Sequence, residues 1–296
     1  MIFVTGSGFG LYGHAAALLN MGKPVATLER YRASIESRED LRDLSRKLTF
    51  FDDEATGIER ADVLVLARRP LDNARAASKL AELRWPGTLV IEKPIAESAL
   101  AAQELAGALH DRQRPWAVPY LFLHCDWYRE LERAFCSGKP VSARIDWQFE
   151  PSQSAAAWKR SSAEGGGPLA FYFVHCLAVA EALLPGGEGH STKSCQGGGE
   201  ATRLELCSRS QDSSLITSFE LGRPRFAVSC NNRSIVESDS PFGAVPVRNA
   251  VDPRIEVLQR FYARTVFGAE PQTAHFHERV HRAWRAFDAV ATTAVS

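Results

Sequence analysis

At 296 residues and 45% hydrophobic content, the chain is long enough to bury two cores and reads as two domains. Lysine plus arginine and aspartate plus glutamate both number 35, which leaves no basic field for a nucleic-acid backbone. No apolar run reaches the ~20 residues of a membrane-crossing helix, and strand-like residues begin at Ile2 with no room for a leader, so a cytoplasmic location is expected.

Residues 2–5 form a short apolar run that meets a glycine cluster, and 15–19 continue as a helix, which predicts strand, tight turn and helix. Strands are then expected at 25–28, 62–67, 88–91 and 116–121, alternating with helices at 37–48, 73–83 and 99–110. Such alternation implies a doubly wound parallel sheet that binds ligand at the carboxyl ends of its strands. Past residue 122 the pattern changes. Residues 141–149 alternate apolar and polar side chains, as do 203–207, 215–221 and 226–236, the signature of a mostly antiparallel sheet with one covered face. A long apolar helix is expected at 168–184, two further helices at 254–267 and 275–290, and the glycine- and serine-rich stretch 185–200 as a loop. The expected layout is an α/β chain: a Rossmann domain over 1–122, and an α+β domain over 123–296 for substrate binding and oligomerisation. The six cysteines (Cys125, Cys136, Cys176, Cys195, Cys207 and Cys230) lack C-x-x-C spacing and suggest neither a zinc knuckle nor a redox pair.

The turn after the first strand reads Gly6-Ser7-Gly8-Phe9-Gly10-Leu11-Tyr12-Gly13-His14. Gly6 permits the tight turn and Gly8 the approach of a diphosphate, which then sits on the amides of the next helix; Leu11 stands at the third fingerprint position. Glu29, about 20 residues further on, is placed to accept hydrogen bonds from an adenosine ribose, which favours NAD. Arg30 beside it is suited to a 2′-phosphate, which favours NADP. Two strand ends carry Arg68-Arg69-Pro70 and Glu92-Lys93-Pro94. Pro94 stiffens the backbone that aims Lys93, by a cis bond or otherwise.

In these features the chain resembles the glucose-fructose oxidoreductase and inositol dehydrogenase family (Gfo/Idh/MocA). The resemblance rests on the glycine turn with His14, the apolar strand closing at Pro70, Glu92-Lys93-Pro94-Ile95-Ala96, and Gly165-Gly166-Gly167-Pro168-Leu169 followed by His175. It implies a nicotinamide cofactor, held by Gly6, Gly8, Phe9, Gly10, Leu11, Glu29, Arg30, Ala67, Arg68, Pro70, Glu92, Lys93 and Pro94. It also implies hydride transfer at an oxygen-bearing carbon of a sugar, sugar nucleotide or cyclitol lying between the domains, and a homo-oligomer, dimer or tetramer. His175 is then the group that exchanges the hydroxyl proton, and Lys93 the one that holds the oxygen. The family's usual Asp four residues before the His is replaced by Phe171, which leaves Tyr172 as a further proton-donor candidate. Substrate contacts are expected at Tyr120, His124, Trp158, Lys159 and Phe171. Reduction of a cyclic imine is the alternative chemistry, and a cofactor-binding protein with a decayed active site the alternative class.

One motif points elsewhere. His277-Glu278-Arg279-Val280-His281 spells H-E-x-x-H, which on a helix would present two imidazoles to zinc with Glu278 as base. No His or Glu follows His281, and no metal is expected.

Overall fold

The computed structural model describes residues 1–39, 41–150, 159, 161, 166–196, 202–243, 252–290 and 292–295. The chain divides into two compact units, neither of them continuous in sequence. The first comprises Met1–Ala96, Glu104–Pro119 and Pro246–Thr273; the second comprises Glu97–Gln103, Tyr120–Val245 and Ala274–Ser296.

The first unit holds a six-stranded parallel sheet: β1 (Ile2–Thr5), β2 (Val25–Leu28), β3 (Thr49–Phe51), β4 (Val63–Leu66), β5 (Thr88–Ile91) and β6 (Trp116–Ala117), in the order β3-β2-β1-β4-β5-β6. The four residues of β1, β2 and β4 are all buried, as expected for strands covered on both faces. The order reverses beside β1, so the turn that follows β1 lies at the switch point where doubly wound sheets bind ligands. The expected helix at 37–48 is instead two short helices, Arg32–Glu36 and Arg42–Ser45, and β3 follows. Its three residues are too few for alternation to register, and pairing with β2 settles their conformation.

The second unit is built on a seven-stranded sheet: β7 (Ser142–Phe149), β8 (Glu188–Gln196), β9 (Arg203–Ser210), β10 (Ser213–Leu221), β11 (Arg225–Cys230), β12 (Arg233–Ser238) and β13 (Thr292–Val295). The order is β12-β11-β7-β10-β9-β8-β13; β7 with β10 and β8 with β13 are parallel, the other pairs antiparallel. Two expectations need correction. Residues 226–236 are not one strand but a hairpin, because Asn231 and Asn232 take φ of 48° and 63°, the mirror-image turn that reverses a strand tightly. The stretch 185–200 is not all loop: Glu188–Gln196 pairs with β9, and Gly189 is needed there because a Cβ would lie 2.9 Å from the Cys207 carbonyl. The inner face gathers aromatics, with Trp147, Tyr172 and Phe219 in mutual contact and Phe122 against Trp127 and Phe226. Among the described residues, no helix is long and apolar enough to cross a membrane.

Candidate active site at the glycine turn

Gly6 takes φ +108°, and a Cβ on it would lie 2.1 Å from the Ala67 carbonyl oxygen. The turn therefore presses directly on the end of β4, where the Ala67 amide donates to Thr5 O at 3.0 Å. Only glycine satisfies both conditions. Gly10 also faces Ala67, with room for a Cβ only at 3.1 Å from that side chain. Gly8 is different: it is exposed, and a Cβ there would meet nothing within 4 Å. Its carbonyl accepts from the Leu11 and Tyr12 amides and opens a π-helical turn, Gly10–Ala15, that leads into the helix Ala16–Asn20. Leu11, in place of a third glycine, is buried in the core. Phe9 folds over Gly13, where a Cβ would sit 2.5 Å from its ring, and the Arg254 guanidinium lies 4.6 Å from the centre of that ring.

The end of β2 is less open than its sequence suggests. Both Glu29 oxygens accept from Arg32, at 2.5 and 2.9 Å, and this bonding holds the carboxyl below its usual range. Arg30 turns to Tyr31, donating to its hydroxyl at 3.4 Å. At the end of β4, Arg68 pairs with Glu54, its amide donates to Asn73 Oδ1 at 3.0 Å, and Pro70 starts the helix Pro70–Glu82. Arg68 is thus committed to a carboxylate of its own chain.

At the end of β5 the Glu92 amide donates to Leu66 O at 2.9 Å, and the Lys93–Pro94 peptide is cis. Lys93 is half-buried. The Glu92 carboxylate receives His14 Nε2 at 2.8 Å, while His14 Nδ1 lies 2.6 Å from the Tyr262 hydroxyl. His14 and Tyr262 have no exposed surface. Burial, together with the nearby Glu92 carboxylate, pushes the Tyr262 phenol well above its usual range, so it stays a neutral O–H. Sequence reasoning quoted His14 only as part of the resemblance and missed Tyr262, because 248 positions separate the two and no local pattern joins them.

In the second unit, Gly167 at φ +80° precedes a π-helical turn, Pro168–Phe173, and the helix Val174–Leu183. His175 is buried on that helix and stacks on Phe122 at 4.8 Å and 19°. The Tyr172 ring stacks on Phe219 at 5.6 Å and 10°, as part of the packing on the sheet. Phe171 is half-buried, with the Lys159 ammonium 5.2 Å from its ring centre. Tyr120 is wholly buried, and its hydroxyl lies 3.3 Å from His281 Nε2. His124 is buried too, and desolvation, aided by the Arg129 charge, pulls its pKa down to about 3. Trp158 lies outside the described residues. The H-E-x-x-H residues sit on the helix Ala274–Asp288. His277 and His281 point into the core, whereas Glu278 lies 3.3 Å from His275 Nδ1, a side chain mostly in solvent. The motif's carboxylate and its two imidazoles thus belong to different surroundings.

Compared by sequence, the chain matches no family model and no curated protein. Compared by structure, it is similar to GenD2 from gentamicin A biosynthesis in complex with NAD, at 18% identity and a TM-score of 0.67, covering 96% of this chain and 92% of that one. It is also similar to the WlbA dehydrogenase from Thermus thermophilus in complex with NAD and UDP-GlcNAcA, at 12% identity and a TM-score of 0.71, covering 100% and 96%. A third similar structure is a super-repressor mutant of Gal80p from Saccharomyces cerevisiae, at 12% and 0.68, covering 97% and 94%. The two-unit fold, a parallel sheet followed by a mostly antiparallel one, is shared with these structures. At these identities the likeness carries the architecture, and function rests on the residues themselves.

Proposed function

We propose that the chain is an NAD(P)-dependent oxidoreductase that moves hydride to or from an oxygen-bearing carbon of a hydroxylated ring, a sugar, sugar nucleotide or cyclitol. The observation that carries this is the glycine turn at the switch point of the parallel sheet: Gly6 has no room for a side chain, and Gly8 beside it faces open space. A dinucleotide fits that arrangement, with its diphosphate on the amides that follow Gly8 and its nicotinamide toward Glu92, Lys93 and Pro94. The substrate class is supported by two structures of like fold, the WlbA dehydrogenase with NAD and UDP-GlcNAcA and GenD2 from gentamicin A biosynthesis with NAD.

When bound, the nicotinamide supplies the hydride acceptor or donor. Lys93 holds the reacting oxygen by charge and hydrogen bonding, which lowers the cost of alkoxide character in the transition state. His175 takes the hydroxyl proton in oxidation and returns it in reduction. Glu29 serves the ribose after exchanging one Arg32 bond for a ribose hydroxyl, and Arg30 and Arg32 remain beside it should the ribose carry a phosphate. A cyclic imine is the alternative substrate. The first unit is the cofactor unit and the second the substrate and oligomer unit.

Fluorescence titration with NADH and NADPH tests the first half of the proposal; micromolar binding is expected, and no binding of either cofactor sinks it. Lys93→Met and His175→Ala test the second half, each expected to cost at least about 100-fold in kcat with cofactor affinity nearly unchanged. A second reading, a cofactor-binding protein without turnover, is favoured by Phe171, whose ring engages Lys159 where the resembling family has a carboxylate. NADH binding without turnover across a panel of sugars, sugar nucleotides and cyclic imines supports it.

A further inference from the structure

The buried His14 side chain ties the glycine turn to the strand end carrying Lys93. It lies within the same π-helical turn as Gly10, four residues on, and its two ring nitrogens reach in opposite senses, to Glu92 and to Tyr262. Tyr262 itself begins a second π-helical turn, Tyr262–Val266. Such turns cost helical regularity and recur where a side chain has to be placed for a purpose.

The proton positions follow from the partners. Glu92, as a carboxylate, can only accept, so Nε2 carries hydrogen and donates to it. Tyr262 is a neutral O–H, and Nδ1 accepts from it when the ring is neutral. The chain of donation runs Tyr262 to His14 to Glu92, with every donor used. Glu92 is then held twice, by its amide on Leu66 O and by its carboxylate on His14. Lys93 is the next residue. We propose that His14 is a positioning residue that fixes the Glu92 carboxylate, and through it the direction of Lys93, against the turn that takes the diphosphate. This rests on the reading of Lys93 as the group that holds the reacting oxygen. It adds that occupancy of the turn and placement of Lys93 are coupled through one imidazole, with Tyr262 setting its orientation.

The test uses the full-length chain with His14→Leu, His14→Gln and Tyr262→Phe, each first checked for folding by circular dichroism. His14→Leu and Tyr262→Phe are expected to lower kcat at least about tenfold, with the dissociation constant for NADH within about twofold of the parent. Gln at 14, which can still donate to Glu92 and accept from Tyr262, is expected to recover most of the loss. In the unliganded protein, nitrogen-15 NMR of the His14 ring should show hydrogen on Nε2, and the rate of reductive methylation of Lys93 should rise severalfold in His14→Leu. Unchanged kcat in folded His14→Leu, loss of kcat and affinity in step, or a ring carrying hydrogen on Nδ1 alone overturns the proposal. Should the parent bind neither cofactor, the oxidoreductase reading fails by itself. Ring protonation and Lys93 reactivity then decide the positioning role, and equal methylation rates overturn it.

Discussion

His14 in the first unit and His277 and His281 in the second are equally hidden from solvent, yet they are held differently. His14 has a hydroxyl on one nitrogen and a carboxylate on the other. The second pair lies among rings, with Tyr120 and Phe276 within 6.2 Å of His277 and Trp284 6.4 Å from His281, and His281 Nε2 meets a hydroxyl, that of Tyr120 at 3.3 Å, rather than a carboxylate. There burial drives His277 well below its usual pKa and His281 to about 3. A buried imidazole is made by its partners, so the same residue type links two segments by hydrogen bonds in one place and packs among aromatic rings in another.

The comparison breaks most visibly if His14 is simply removed. His14→Ala should cost about 3 to 5 kcal/mol in urea unfolding, because the Tyr262 hydroxyl is left buried, Glu92 loses a charge-assisted partner and a cavity opens. A loss comparable to an exposed substitution would show that the two bonds do not bind the segments together.

Acid titration sharpens the second half. His281 and His124 have folded pKa values near 3 against an ordinary 6.5, so below pH 6.5 the unfolded chain binds protons that the folded one refuses. Their contribution is therefore fully present above pH 6.5 and lost as pH falls toward 3, at about 1.4 kcal/mol per pH unit per group. His281→Leu should flatten that acid limb by about one such increment, read by urea unfolding at pH 7 and pH 5. A slope unchanged by the substitution would mean that His281 is protonated within the fold.

Glu278→Gln gives the smallest effect. Its carboxylate pairs with the mostly exposed His275, and the change should stay below about 0.5 kcal/mol with turnover unaltered. A large loss of activity would return the H-E-x-x-H reading to consideration.

What the sequence disclosed followed from how local each signal is. The buried strands β1, β4 and β5 announce themselves as unbroken apolar runs, and the glycine turn as a run of residues that permit φ > 0 or close approach. Glu188–Gln196 was hidden because glycine, serine and lysine spell a loop, and only the neighbouring β9 makes them a strand. There Lys193 is buried and donates to Asp288 O at 2.8 Å, a bond composition cannot reveal. The H-E-x-x-H spacing was the competing motif, and its two imidazoles lie on a packed helix face. The His14 link was silent because its three members come from three distant stretches of chain.

Tyr262 reaches the first unit from a stretch that the ribosome delivers only after nearly the whole second unit has been made. Nascent chains fold in the order in which they emerge, at roughly 5 to 20 residues per second, so the first unit must wait for its last piece with the His14 imidazole short of one partner. An amino-terminal fragment ending near residue 119 is consequently not a miniature of this unit. The fully bonded His14 imidazole is therefore acquired late in synthesis, after most of the polypeptide has been made.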